Sequence, residues 1–230
     1  MRIPRPPHAW SVTPRQAITI QRELAGRVLR HGSAPRARLF AGVDAAYGEG
    51  GETCVAAAVL WDRVQDEVLE QHVVTWPVRF PYVPGLLSFR ESPAVLAALR
   101  RLRREPDVIL VDGQGLAHPR RFGIACHIGV LGDRPTVGCA KSILVGQCDE
   151  PDPQRGSTSR LCDDDECIGM ALRTRDHIRP VYVSIGHRLS LRSAVSWTLA
   201  CCTHYRLPEP TRLADRLVAE ARRRKRQKDG

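Results

Sequence analysis

The stretch LFAGVDAAYGEGGETCVAAAVLWDRVQDEVLEQHVVTW, Leu39–Trp76, decides the fold. Leu39–Ala45 is a strand-like run that enters a turn at Gly48, Gly50 and Gly51. Cys54–Trp61 is apolar at every position, the pattern of a strand buried on both faces. A polar turn, Asp62–Asp66, leads to a third run, Val68–Trp76. Three runs joined by short turns predict an antiparallel meander.

Outward from the meander, helices and strands alternate. On the N-terminal side, residues 13–31 read as a helix: Thr13 is a cap, Pro14 occupies the first turn, and Ile18, Ile20, Leu24, Val28 and Leu29 form the apolar face. On the C-terminal side, residues 77–90 hold Pro77, Pro81, Pro84 and Gly85 and read as a loop. Pro93–Arg104 reads as a helix, Val108–Val111 as a short buried strand, 113–123 as a loop, Ile124–Val130 as a helix and Thr136–Cys139 as a strand. A polar loop is expected over 142–160, then strands at Cys167–Leu172 and Val181–Ser184 and helices at Leu191–Tyr205 and Thr211–Arg226. The order predicts an α/β fold with a mixed central sheet flanked by helices. With 230 residues, the chain suits one domain over 1–230, with flexible basic ends at 1–12 and 222–230.

Composition narrows the class. Apolar residues make up 43% and charged residues 26%, and no apolar run approaches the roughly 20 residues of a membrane helix. Arg2 and Arg5 are not followed by an apolar stretch, so no secretory signal is read and the expected location is cytoplasmic, with no membrane partner. The eight cysteines show no C-x-x-C spacing and read as free, mostly buried thiols. The net charge of +10 is uneven: +7 over residues 1–38, +5 over 216–230 and −2 between. Basic ends suit either phosphate contact or a merely soluble surface.

The chemistry-bearing residues sit at strand ends and in two loops. Asp44 follows Phe40–Val43, and Asp112 follows Val108–Val111. Each alone is equally well a turn-forming aspartate. As a pair on neighbouring strands they can share a hard divalent cation such as Mg²⁺ at the edge where α/β sheets bind ligands. Glu91, in SFRESP, is either a helix N-terminal acid or a third carboxylate of that site. Asp215, alone, is an ordinary helix residue. Lys141, in GCAKS, is the only lysine before position 225, in a chain that otherwise uses arginine. A compact ammonium donor is its sharper reading, chance retention the plainer one. The loop FPYVPGLLSF, 80–89, is either core packing or a rigid wedge able to enter a nucleic-acid stack. His118, Arg120 and Arg121 form a basic loop whose plainer reading is a solvated one and whose sharper reading is phosphate neutralisation, and His187 reads as a structural histidine.

In order along the chain stand AGVDAAY (41–47), PYVPGLLSFRE (81–91), VDGQGLAHPRRFG (111–123), CAKS (139–142), GHRLSL (186–191) and YRLPEPTRLAD (205–215). Together, over about residues 13–220, they resemble the endonuclease V family, deoxyinosine-specific nucleases of DNA repair. The resemblance implies a ribonuclease H-like fold and Mg²⁺-dependent hydrolysis, with Mn²⁺ as a substitute. It implies cleavage at the second phosphodiester 3′ to the lesion, leaving 3′-hydroxyl and 5′-phosphate ends. By position, Asp44 and Asp112 match the metal-binding aspartates, Glu91 the active-site glutamate, Lys141 the active-site lysine and Asp215 the acidic or His position of the last helix. Tyr82, beside Pro81, matches the wedge tyrosine, and His118 the histidine of the AHP motif. Gly85 and Gly113 would offer backbone amides to hypoxanthine, and Arg120 would meet DNA. The expected partner is DNA containing deoxyinosine, bound by a monomer; the alternative is a ribonuclease acting on inosine-containing RNA. A module that kinks DNA without cutting would need a broken acid set, and all four acids and Lys141 are present. Two departures stand out: Gln114 where the family commonly has His, and the acidic stretch 162–167, which reads as a hairpin tip.

Overall fold

The computed structural model describes the backbone of residues 1–229 and every side chain among them except those at 225, 226, 228 and 229. Its elements are α1 (Pro14–Ala25), β1 (Leu39–Tyr47), β2 (Thr53–Asp62), β3 (Glu67–Pro77), α2 (Leu87–Leu99), β4 (Val108–Val111), α3 (Ile124–Gly132), β5 (Thr136–Ala140), β6 (Thr158–Asp163), β7 (Glu166–Leu172), β8 (Val181–His187), α4 (Leu191–Ala200) and α5 (Glu209–Asp229). The eight strands form one mixed sheet in the order β3-β2-β1-β4-β5-β8-β7-β6. The expected meander is its left half: β1 pairs antiparallel with β2, and β2 with β3. β4 lies parallel to β1, and β5 parallel to β4.

Alternation along the strands sorts side chains to two faces. Ala41 and Val43 of β1, with Ile109 and Val111 of β4, join Val95, Leu99 and Ile128 in a core under α2 and α3. Phe40, Val108 and Leu110 face the opposite way, toward Ala194 of α4. On β2, Ala56, Ala58 and Leu60 serve the first core, while Val55, Ala57 and Val59 meet Ala214 and Val218 of α5. Covering both faces is why this strand is apolar throughout.

Several boundaries differ from the sequence reading. α1 stops at Ala25 rather than 31, with Gly26 as its cap. α2 begins at Leu87, inside the expected loop, and carries Pro93 within it. Phe89 and Leu86 are buried beside Phe80 and Ala17, and that packing offsets the backbone hydrogen bond Pro93 cannot donate. α2 and α4 also end earlier than expected, at Leu99 and Ala200. Strand β6 lies partly in the expected loop 142–160; its edge position and single fully buried residue, Leu161, left no apolar pattern.

The N-terminal segment 1–12, expected to be a flexible end, has no helix or strand but is packed down. Met1 and Ile3 are buried in the main core, and the His8 and Trp10 rings lie against Phe89 and His127. α5 runs through 222–229, the other expected flexible end, whose final residue lies outside the described residues. All eight cysteines are free, and among the described residues no helix is long and apolar enough to cross a membrane.

Candidate active site

β1, β4 and β5 run parallel, so their carboxyl ends share one edge of the sheet. Asp44 lies in the second half of β1. Asp112 follows β4 directly, and its N–H donates to Val43 O at 3.3 Å, which seats it beside Asp44. Lys141 follows β5, and its Nζ donates to Asp112 Oδ2 at 2.5 Å. Glu91 projects from α2 and is buried. Asp215 arrives from α5, which crosses β1 at Gly42. A Cβ at Gly42 would stand 2.0 Å from the Pro210 backbone, so only glycine allows this approach.

The charges are unbalanced. Burial raises the Asp44 carboxyl to about 7, and Asp112 and Asp215 add to the rise; Lys141 and the Ala45 N–H only partly oppose it. Burial likewise lifts Glu91 to about 7, with Asp112 adding and Tyr47 and Arg90 opposing. Burial works against the Lys141 charge, but Asp112, Asp44 and Asp215 outweigh it and hold the ammonium above its ordinary value. Three aspartates thus face one lysine, while Glu91 has Arg90 beside it. Among the described residues no three His, Cys, Asp or Glu side chains form a ready-made metal cluster. The Asp44–Asp112 pair nevertheless fits a hard divalent ion of the Mg²⁺ kind, which takes one or two carboxylates and keeps most of its water. Added positive charge would oppose both the burial and the like-charge repulsion that raise Asp44 and Glu91.

Beside these acids stands the proline-rich loop. Phe80 and Leu86 anchor it in the core, while Tyr82 at its tip is 71% exposed and Pro81 is exposed with it. Gly85 turns the chain back with φ +76°, a conformation that suits glycine. Its carbonyl accepts from Gln21 Nε2 at 3.0 Å, His118 Nε2 at 2.9 Å and Arg120 Nη2 at 2.6 Å. Below the loop is a cavity of about 170 Å³ whose walls include Tyr82, Val83, Gly85, Gln114, His118 and Ile124. Gly113, next to Asp112, begins the turn that carries Gln114.

His118 differs from the expected phosphate-neutralising role. It is 3% exposed, and burial lowers it to about 4, so it is neutral at pH 7. Its Nδ1 accepts from the Arg120 N–H at 3.1 Å, which leaves the Nε2 proton for Gly85. It is a neutral clamp on the loop. Arg120 Nε donates to Gln21 Oε1 at 2.6 Å, so this guanidinium braces the same loop. Arg121 turns away to Asp163 and Glu166, at 2.7 and 2.6 Å.

The sequence reading missed three residues. Gln21, fully buried on α1, ties Gly85, Arg120 and the Phe122 carbonyl together. Tyr47 and Arg90 flank Glu91, with the Arg90 guanidinium 4.5 Å over the Tyr47 ring. Alternation from Val43 put Tyr47 on the α2-facing side of β1, and that was the available signal.

A mixed sheet with flanking helices, carrying paired aspartates and a lysine toward the carboxyl ends of its central parallel strands, is an α/β architecture of the ribonuclease H-like class. The family model described as Endonuclease V matches residues 22–216. The Endonuclease V of Azotobacter vinelandii is 52% identical over 210 residues, covering 91% of this chain and 95% of that protein. The crystal structure of Endonuclease V from Streptomyces avermitilis superposes with a TM-score of 0.89 at 45% identity, covering 94% and 95% of the two chains. Ciona intestinalis Endonuclease V, solved with a 24mer DNA containing an inosine followed by a ribo-adenosine, shares the fold with a TM-score of 0.81 at 24% identity, over 91% of this chain and 98% of that one. The chain belongs to the endonuclease V family and is an endonuclease.

Proposed function

We propose that this endonuclease incises DNA at deoxyinosine, the product of adenine deamination. It hydrolyses the second phosphodiester 3′ to the lesion and leaves 3′-hydroxyl and 5′-phosphate ends. The observation that carries the reading is the adjacency of two features: an acid-rich strand edge with a single lysine, and a clamped, proline-stiffened loop over a base-sized cavity. The inosine-containing DNA bound by the Ciona protein supports the choice of lesion. Eight free thiols suit a reducing cytoplasm.

Asp44 and Asp112 would hold Mg²⁺, with Mn²⁺ as a substitute, and Glu91 and Asp215 would border it. When bound, the ion polarises the scissile phosphate and lowers the pKa of an attacking water. Lys141, oriented by Asp112, presents its ammonium to charge developing on the phosphate oxygens. Tyr82, exposed on a loop held by Gln21, His118 and Arg120, fills the space left when the lesion base leaves the stack. The loop offers backbone groups at the cavity, with Gly113 one residue from its wall at Gln114, where hypoxanthine O6 accepts a hydrogen bond that adenine's amino group cannot.

An end-labelled duplex with one deoxyinosine tests this, using wild type and Asp112→Asn with Mg²⁺ or EDTA. One metal-dependent nick 3′ to the lesion, lost in the variant, is expected. Cleavage confined to a matched inosine-containing RNA would replace the DNA substrate with RNA. Binding without cleavage of either would overturn the mechanism.

A further inference from the structure

Cys162 and Cys167 face each other across the β6–β7 hairpin. Both the N–H and the C=O of Cys162 are bonded to Gln147, at 2.9 and 2.8 Å, on the other side of β6. In an antiparallel ladder a residue's two backbone groups point to the same side. Cys162 therefore has none left for Cys167, and the two form a non-hydrogen-bonded pair. In such pairs the Cα atoms approach to about 4.5 Å, within the range a disulfide spans. Both side chains are half-buried, whereas Cys54, Cys126, Cys139, Cys201 and Cys202 are buried.

The remaining half-buried thiol, Cys148, lies next to Gln147 and within electrostatic reach of Cys162, but on the other face of the hairpin. It packs with Leu161, Ile168 and Ala117 on the inner face of the hairpin. Cys162 follows Leu161 and so projects from the opposite face. Arg160, two residues before Cys162 on that outer face, brings its guanidinium beside both sulfurs. The next rung toward the turn is Asp163 opposite Glu166, the two carboxylates that hold Arg121.

We propose that Cys162 and Cys167 form a reversible dithiol site that reacts with low-molecular-weight disulfides. The Cys162 thiolate attacks one sulfur of the small disulfide, breaking its S–S bond and releasing one thiol. The Cys167 thiolate then attacks Cys162 Sγ, breaks the mixed disulfide and releases the second thiol. Two electrons pass from the cysteine pair to the small disulfide, and the two thiol protons leave with the released thiols. The product is a cross-strand disulfide one rung from the Arg121 anchor. Closing it fixes the hairpin that packs against the 117–121 turn.

Digestion after lysine and arginine makes the test direct, because both cysteines fall in Leu161–Arg173 while Cys148 falls in a different peptide, 142–155. The folded protein is treated with oxidised glutathione, quenched with an alkylating agent, digested and weighed. The expected Leu161–Arg173 peptide is lighter by two hydrogens and carries no alkyl group; dithiothreitol restores both alkylation sites. Cys162→Ser and Cys167→Ser, each checked for an unchanged melting temperature, should leave the surviving cysteine as a mixed disulfide with glutathione. Three results would overturn the proposal: both cysteines alkylated after treatment, a stable mixed disulfide on wild type, or a bridge from Cys148 to Cys162.

Discussion

Replacing Asp44 by Asn should stabilise the metal-free protein, and by more as the pH rises. Asp44 ordinarily titrates near 3.8 and is raised to about 7 in the fold, by burial first and then by Asp112 and Asp215. A group whose folded value is raised favours the fold fully below its unfolded value and loses that contribution as pH rises through the folded value. The penalty therefore grows from about pH 4 and is complete above about pH 7. At about 1.4 kcal/mol for each pH unit the rise amounts to about 4 kcal/mol, which solvent screening at this half-buried edge reduces to about 2 kcal/mol. For a chain of this size that is about 4–8 °C in melting temperature. The assay is thermal unfolding of wild type and variant in EDTA at pH 4 and pH 8. The expected result is coincident curves at pH 4 and a more stable variant at pH 8. Added Mg²⁺ should then raise the wild type at pH 8 and leave the variant nearly unmoved. An equal gain at both pH values, or none at pH 8, would refute the account of a buried, crowded carboxylate.

Four further predictions test other parts of the site. Lys141→Ala should lower the single-turnover incision rate about 100- to 1000-fold while substrate binding stays close to wild type, since the ammonium serves developing charge. Tyr82→Ala should leave the melting temperature unchanged, because the ring is 71% exposed, yet slow incision of duplex more than of single-stranded deoxyinosine substrates, by about 5- to 100-fold, read on matched labelled strands. Gln21→Leu removes the brace shared by Gly85, Arg120 and Phe122 and should cost about 1–3 kcal/mol of stability, read by urea unfolding, with a raised KM. Gly42→Ala forces α5 off β1 and should lower stability by at least about 1–3 kcal/mol in the same assay.

What the sequence revealed and what it hid have separate physical causes. β2 was legible because both of its faces are covered, so every residue from Cys54 to Trp61 is apolar. β6 was not, because an edge strand with one fully buried residue needs no apolar pattern. The start of α2 was hidden by Pro93, a local signal overruled when Leu86 and Phe89 pack against Ala17, far away in sequence. At the site, Asp44 and Asp112 were legible because a charged residue within or just after a buried apolar run stands out. Gln21 was not, since its partners lie 64 to 101 residues away and nothing near it marks the contact. His118 was legible as a residue but not in its role. Its neutrality follows from burial, and burial arises only when the 113–123 turn closes against the proline-rich loop.

These two halves of the site are built on opposite principles. The loop half is satisfied: the Gly85 carbonyl receives three donors, His118 is neutral, and Arg120 has protein partners. Such a network holds Tyr82 and the cavity wall in place before any ligand arrives, so little ordering remains to be done on binding. The acid half is unsatisfied: Asp44 and Glu91 are both raised to about 7, even with Lys141 among the three aspartates and Arg90 beside Glu91. A hydrophobic or fully paired edge would be more stable, but it would have no use for a cation. The cost of burying these acids in charged form is relieved by protonation at low pH or by positive charge at neutral pH. The same cost thus weakens the metal-free fold above neutral pH and favours occupancy of the site, which makes the stability gain of Asp44→Asn a direct reading of what the site gives up to be functional.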